Sequence, residues 1–336
     1  MLPALFGLAG PVLGDDERAF FRDSDPVGFV LFGRNCVDRK QLRALTDDLR
    51  SLSGRDDLPI LIDQEGGRVA RLGPPEWPPF PAAERFGRLY DVAPITAIEA
   101  ARVNAQAMAA MLAEVGITVD LAPVLDLLYP QTHAVIGDRA LGAEPMKVAA
   151  LGRAMLDGLE AGGVIGVVKH MPGLGRAAAD SHEELPVVTV SEQEMEADLA
   201  PFRALASAPA GMVAHLLLSA WDAQRPASTS PALIAEVIRG RIGFEGLLLS
   251  DDICMGALPG SIPDRAEAVI EAGCDLALHC SGDLAEAQAI AKRLSPISGA
   301  AKARLQAAMA RTGKPSDVSF DDLADKRDAL FAAAPF

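Results

Sequence analysis

The chain has 336 residues, half of them hydrophobic, enough for one large core or two ordinary ones. Its formal charge is −15 with no long basic run, which argues against nucleic acid and anionic membrane surfaces as partners. Only four cysteines occur, none in a C-x-x-C pair, which does not suggest a disulfide scaffold, and buried thiols in a reducing compartment are expected.

The apolar N-terminus, residues 1–14, lacks a positive n-region and runs into Asp15-Asp16-Glu17, unlike a secretory signal. No apolar stretch approaches the roughly 18 residues of a membrane span. A cytoplasmic protein is therefore expected.

Short apolar runs then recur, separated by helical patterns. Residues 4–7 and 27–32 are the first two predicted strands, followed by a helix over 37–52. The third strand, 59–62, ends in Asp63-Gln64-Glu65-Gly66-Gly67-Arg68. The proline-rich stretch 74–81 can be neither a helix nor a central strand and reads as a stiff loop. A helix over 95–115 leads to strand four, 118–122, and then to Asp126. A helix over 143–162 precedes strand five, 165–168, which ends in Lys169-His170. The loop beyond it carries Asp180-Ser181-His182. A helix over 192–207 precedes strand six, 212–217, with His215 inside it. A helix over 231–242 is followed by strand seven, 247–249, ending in Ser250-Asp251-Asp252. Strand eight covers 275–278, and the residues from Ser295 look like helices packing outside the barrel.

Eight strand–helix alternations in this length predict an α/β fold: one (β/α)8 TIM-type barrel over residues 1–336 with extra C-terminal helices. No linker or internal repeat divides it. A barrel puts its active site at the C-terminal ends of the strands, and that is where the reactive side chains fall.

Each candidate has a plain structural alternative. A carboxylate after a strand is often a helix N-cap. Asp63 with Arg68 and Arg71 reads equally as a salt-bridged cluster, and His215 as a satisfied core histidine. The adjacent acids Asp251 and Asp252 are a stronger signal, since one can enter the barrel mouth while the other caps or meets a cation. Lys169 and His170 would be costly to bury without partners. Together these residues describe a site with a nucleophilic or basic carboxylate and an Asp–His pair, with Arg71, Arg139 and Lys169 donating to an oxygen-rich ligand such as a sugar. Metal-assisted hydrolysis is the rival chemistry, with Asp63, His170, His182, His215 and Asp251 as ligands. Against it stand the lack of dense ligand spacing and the nearby lysine.

Over nearly its whole length the chain resembles the β-N-acetylhexosaminidases of glycoside hydrolase family 3, NagZ type. The resemblance runs through Asp63-Gln64-Glu65-Gly66-Gly67-Arg68-Val69, Ala122-Pro123-Val124-Leu125-Asp126, Gly137-Asp138-Arg139, Lys169-His170 with Pro172-Gly173, Asp180-Ser181-His182, Ala214-His215, and Ser250-Asp251-Asp252 with Met255. It implies a (β/α)8 barrel that needs no metal or other cofactor. It implies Asp251 as the nucleophile that forms a covalent glycosyl-enzyme, His182 as general acid/base and Asp180 as the partner that orients it. By the same resemblance Asp63, Arg71, Arg139, Lys169 and His170 hold N-acetylglucosamine. A histidine in place of the usual second carboxylic acid suits proton donation and abstraction near neutral pH. The small residues after Arg176 predict a loop able to close over the sugar. Leu174 stands where the family carries a histidine, Met171 where it more often has Phe or Ile, and Ile253-Cys254 where it has Leu-Ser.

The expected function is that of a retaining exo-β-N-acetylglucosaminidase. It would act on muropeptide fragments, N-acetylglucosamine linked to 1,6-anhydro-N-acetylmuramic acid with or without peptide, during peptidoglycan recycling. The expected form is a monomer whose partner is this small carbohydrate rather than nucleic acid or membrane. Two rivals are a phosphorylase of the same family, because a histidine acid/base would not repel phosphate, and a non-catalytic sugar-binding barrel.

Overall fold

The computed structural model describes residues 1–313 and 318–334. Eight parallel strands close into a barrel in chain order, with the last pairing back to the first. They are β1 (Leu2–Gly7), β2 (Pro26–Leu31), β3 (Ile60–Ile62), β4 (Val119–Asp120), β5 (Ile165–Met171), β6 (Ala210–Val213), β7 (Leu247–Asp252) and β8 (Leu276–His279). All eight predicted runs are barrel strands, although their ends differ. Neighbouring strands pair all the way around the ring, as in Leu61 opposite Val119, Val119 opposite Ile165 and Val167 opposite Ala210, with register shifts in the β1–β2, β5–β6 and β7–β8 pairs.

Alternation of side chains along each strand divides the apolar residues into two cores. Leu5, Leu61, Ile165, Val167, Leu247, Leu249, Leu276 and Leu278 point into the barrel. Phe6, Phe29, Ile60, Ile62, Val168, Val213 and Leu248 face the surrounding helices. Continuing the inward set one step toward the C-terminal end reaches Asp63 just after β3, Lys169 on β5 and Asp251 on β7. The pleat that fills the core therefore also aims the polar groups at the mouth.

The helices are α1 (Asp15–Ser24), α2 (Arg39–Ser53), α3 (Ala83–Val92), α4 (Pro94–Glu114), α5 (Pro145–Ala161), α6 (Glu192–Ala204), α7 (Ile262–Ala272), α8 (Leu284–Arg293), α9 (Gly299–Met309) and α10 (Phe320–Ala333). The predicted helix over 37–52 begins two residues later because Asp38 is its N-cap, accepting from the Gln41 N–H. Leu42, Leu45 and Leu49 then form its buried face. The pattern over 231–242 is a π-helix, Leu233–Ile242, closed by Gly243 in the left-handed region.

The C-terminal helices part company with the expectation that both lie outside. Helix α10 does pack on the outer α4. Helix α9 instead closes the floor of the barrel, where Leu305, Ala308 and Met309 join the interior core. No helix among the described residues is long and apolar enough to cross a membrane.

Candidate active site

A cavity of about 330 Å3 opens at the C-terminal end of the strands. Asp63, Arg71, Arg139, Lys169, His170, His182 and Asp251 all line it, and Asp180 holds His182 from behind. The residues singled out from the sequence thus converge from β3, β5, β7 and the loops after them.

The floor is an ion network. Lys169, 2% exposed, places Nζ 3.0 Å from Asp63 Oδ1 and 2.7 Å from Glu65 Oε1. Arg139 grips Glu65 with Nε at 2.7 Å and Nη2 at 2.8 Å, and Arg71 Nη2 meets Asp63 Oδ2 at 3.1 Å. Burial alone would raise the Asp63 carboxyl, but Lys169 and Arg71 outweigh it and bring it down to about 2. Glu65 is likewise held below its ordinary value by Lys169 and Arg139 against the penalty of burial. Lys169 has three donors and two acceptors here, so one N–H remains for a ligand. Arg68 belongs to a different pair, with Nε 2.8 Å from Asp138 Oδ1, and ties the hairpin after β3 to the turn that carries Arg139.

That hairpin, Gln64–Gly66 against Val69–Ala70, is fixed by Gln64, which is fully buried. Gln64 donates Nε2–H to the Leu72 carbonyl, while its Oε1 accepts the N–H groups of Arg71 and Leu72. Its own N–H donates to Asp120 Oδ1 at 3.0 Å. Asp120 lies fully enclosed with Oδ2 unpaired, and burial pushes its carboxyl well above the usual range. The proline-rich loop packs against the hairpin: Gly67 N–H donates to the Phe80 carbonyl at 2.9 Å, and Trp77 and Phe80 are buried.

His170 is set by Asp126. Asp126 Oδ1 accepts the backbone N–H groups of His170 and Leu174, and Oδ2 lies 2.7 Å from His170 Nδ1. The ring's Nε2 is left to meet a ligand. Leu174, lacking the family's imidazole, anchors the loop through its backbone N–H at 2.7 Å and a buried side chain. Gly175 is required next to it, since a Cβ there would lie 1.9 Å from the Leu127 carbonyl oxygen.

Asp251 continues the inward side of β7, and its Oδ1 accepts the Asp252 N–H at 2.8 Å. Burial would raise its carboxyl, but His170, His215 and the Asp252 N–H hold it below the ordinary value. A half-buried carboxylate kept ionised at the cavity wall is equipped to act as a nucleophile. Asp252 caps the next turn, taking the N–H groups of Cys254 and Cys280 on Oδ1. It meets no cation among the described residues, so its part in the expected division of labour is capping. His215 is the satisfied core histidine. Its Nε2 must carry the proton, because it sits 2.9 Å from the Asp252 carbonyl, and Nδ1 accepts from Ser228 Oγ at 2.7 Å. Burial lowers its pKa. Of the five candidate metal ligands, His215 thus has both nitrogens committed and Asp63 is already bound to two cations.

The side chain of His182 is 63% exposed, with Nδ1 2.7 Å from Asp180 Oδ1, so Nε2 is available for proton transfer. Asp180 sits below its ordinary value: burial opposes this, and the backbone and ring N–H groups of His182 outweigh it. The loop is less free than its small residues predict. Arg176 Nε donates to Asp198 Oδ2 at 2.7 Å, its guanidinium lies 4.3 Å over the Tyr129 ring, and Ala177 is buried. Past this anchor, Gly256 N–H donates to the His182 carbonyl at 2.9 Å and Ala257 N–H to the Ser181 carbonyl at 3.2 Å. The segment with His182 is therefore docked on the turn that follows Asp251.

Sequence reasoning gave no role to Glu65, Gln64, Asp126 or Gly256. Gln64 and Glu65 were visible only as members of a polar run, Asp126 only as a single acid after strand four, and Gly256 carried no signal.

The family model for the glycosyl hydrolase family 3 N terminal domain matches residues 14–313. A β-hexosaminidase from Alkalilimnicola ehrlichii is 40% identical over 284 residues, 83% of this chain and 80% of its own. One from Bordetella avium is 38% identical over 290 residues, 84% of this chain and 82% of its own. NagZ from Neisseria gonorrhoeae, in complex with N-trifluoroacetyl-D-glucosamine, superposes with a TM-score of 0.87 at 30% identity, covering 98% of this chain and 97% of that one. The barrel, the polar mouth and these matches agree, and the chain belongs to glycosyl hydrolase family 3 as a NagZ-like β-hexosaminidase, a glycoside hydrolase.

Proposed function

We propose that the chain is a retaining exo-β-N-acetylglucosaminidase in which Asp251 attacks the anomeric carbon, His182 protonates the leaving oxygen and then activates water, and Asp180 orients and charge-stabilises the imidazole. The observation that carries this reading is one cavity holding a half-buried carboxylate held below its ordinary pKa and an exposed imidazole tied through Nδ1 to an aspartate. Asp63, Arg71, Arg139, Lys169 and His170 bind the sugar. Asp63 accepts from its hydroxyls, while Lys169, Arg71 and Arg139 donate through N–H groups left over from the ion network. The preorganised network lets those donors meet the sugar without reorganising. A cytoplasmic muropeptide fragment, with N-acetylglucosamine on 1,6-anhydro-N-acetylmuramic acid, is the substrate of this reading, and a monomer is its form. The sugar analogue held by the Neisseria gonorrhoeae protein supports the choice of glycone.

Steady-state kinetics test it. Asp251→Ala should lower kcat at least ~1000-fold on an aryl β-N-acetylglucosaminide; retained turnover refutes the nucleophile. His182→Ala should cost far more on the muropeptide than on an activated aryl leaving group, which needs little protonation. Equal losses on both refute its acid role. Product appearing as sugar 1-phosphate in proportion to added phosphate would replace hydrolysis with phosphorolysis.

A further inference from the structure

Just outside the sugar cavity, three elements bring metal-ligating groups together. Cys254 lies in the turn after β7, His279 ends β8, and Glu286 stands in the first turn of α8. A thiol sulfur, an imidazole nitrogen and a carboxylate oxygen from these residues lie within 4.8 Å of one another. None of the three lines the cavity.

The imidazole is free to serve. His279 is 1% exposed, and its Nδ1 has no hydrogen-bond partner among the described residues. Nε2 lies 2.9 Å from Glu286 Oε2 and 3.0 Å from Ser281 Oγ. Nε2 carries the proton while it faces the carboxylate, and because neither nitrogen is locked on a backbone carbonyl as His215 is, that proton can shift to Nδ1 and leave the Nε2 lone pair to an ion. Burial, with Asp252 nearby, raises the thiol of Cys254 to about 12, while backbone N–H groups of Cys280 and Ser281 favour its thiolate. An ion must displace that proton, as at any thiolate site.

We propose that Cys254, His279 and Glu286 form a tetrahedral site for a soft divalent ion of the Zn2+ type, completed by the Ser281 hydroxyl or a water. At zinc–ligand distances of about 2.0–2.3 Å, tetrahedral ligand atoms stand about 3.4–3.6 Å apart. The His279–Glu286 pair opens by about half an ångström and the sulfur closes in, movements that side-chain rotation supplies. The ion binds neutral imidazole, carboxylate and thiolate; one thiol proton goes to solvent and nothing is oxidised or reduced. Two ligand charges balance the ion. Because Cys254 and Cys280 both donate backbone N–H to Asp252, the site reports on the turn beside Asp251.

Co2+ titration of the full chain reads the site directly, since a thiolate-to-cobalt charge-transfer band identifies the sulfur ligand. The band should appear together with tetrahedral d–d bands, vanish in Cys254→Ser, persist in His182→Ala, and need at least ~10-fold more Co2+ in Glu286→Gln. Zn2+ should raise the thermal midpoint of the intact chain and not that of Cys254→Ser. Absence of the band at saturating Co2+, its survival in Cys254→Ser, or its loss in His182→Ala overturns the proposal. Circular dichroism of the variants separates loss of the site from loss of the fold.

Discussion

Glu65→Gln removes one anion from the network beneath the cavity without changing its shape. In the parent chain Lys169 touches Glu65 and Asp63, while Arg139 has Glu65 as its acidic partner. After the change Lys169 keeps Asp63 at 3.0 Å, but Arg139, itself 10% exposed, loses its anion and keeps only neutral acceptors, the Val135 carbonyl and the oxygen of the new amide. Breaking a buried pair by removing one partner costs about 3–5 kcal/mol, and the retained Asp63 contact places this case near 3. A chain of this length has an unfolding entropy near ~0.7 kcal/mol per degree, so the thermal midpoint should fall by about 4 °C. Because Lys169 and Arg139 then lose their fixed aim, kcat/KM on an aryl β-N-acetylglucosaminide should fall about 10-fold, mostly through KM. Calorimetry and initial rates measure both. A double-mutant cycle with Arg139→Gln should return an interaction energy above about 1 kcal/mol. A variant that melts with the parent, keeps KM and shows no coupling would refute the view that this network positions the donors.

Two further outcomes follow from the same geometry. Gly256→Ala puts a Cβ 2.5 Å from the Glu183 carbonyl oxygen and 2.9 Å from that of His182, so the His182 segment must lift from the turn after Asp251. The muropeptide rate should drop about 10-fold or more while activated aryl substrates lose less, since only acid assistance suffers; equal losses would point to damage at Asp251 instead. Acid stability should carry the signature of Asp63, whose carboxyl lies at about 2 in the fold against 3.8 as its ordinary value. A depressed folded value contributes stability that is full above the ordinary value and is lost as pH falls through the folded one. About 2 kcal/mol should therefore disappear between pH ~4 and ~2. Urea midpoints across that range should show the slope in the parent and a shallower one in Asp63→Asn.

The barrel was legible because strands buried on both faces read as continuous apolar runs, and eight of them recur. Their ends were not, because hydrophobicity does not mark where pairing stops. Strand β5 runs on through Lys169 and His170 to Met171, while the apolar run over 212–217 leaves the sheet after Val213. Beyond that point His215 turns to Ser228 and Asp252, and Leu217 pairs with Val187 in a separate ribbon. At the site, residues with distinctive chemistry at strand ends could be found from sequence. Glu65 could not be given its part, since that part lies in partners 74 and 104 positions away, Arg139 and Lys169. Gly256 acts through its backbone and the absence of a side chain, which no composition or spacing reveals.

On the proposed assignment the two reacting groups sit on supports of different stiffness, and their tasks require it. A nucleophile must hold one ionised oxygen against one carbon, and Asp251 continues a strand paired on both sides, with its carboxylate steadied by an N–H and electropositive neighbours. The acid/base must serve a departing oxygen and then a water, so Nε2 has to reach solvent between steps. His182 meets that need on a loop fixed at its near end by Arg176 and resting on the Gly256 turn through backbone hydrogen bonds. Those bonds can break and reform without exposing a core side chain, so the His182 segment can lift at small cost while Asp180 travels with it as part of the same turn. The pair's 2.7 Å contact is local, two residues apart, and survives the motion. A lift of the segment would therefore carry the proton-transfer unit whole and alter only its distance from Asp251.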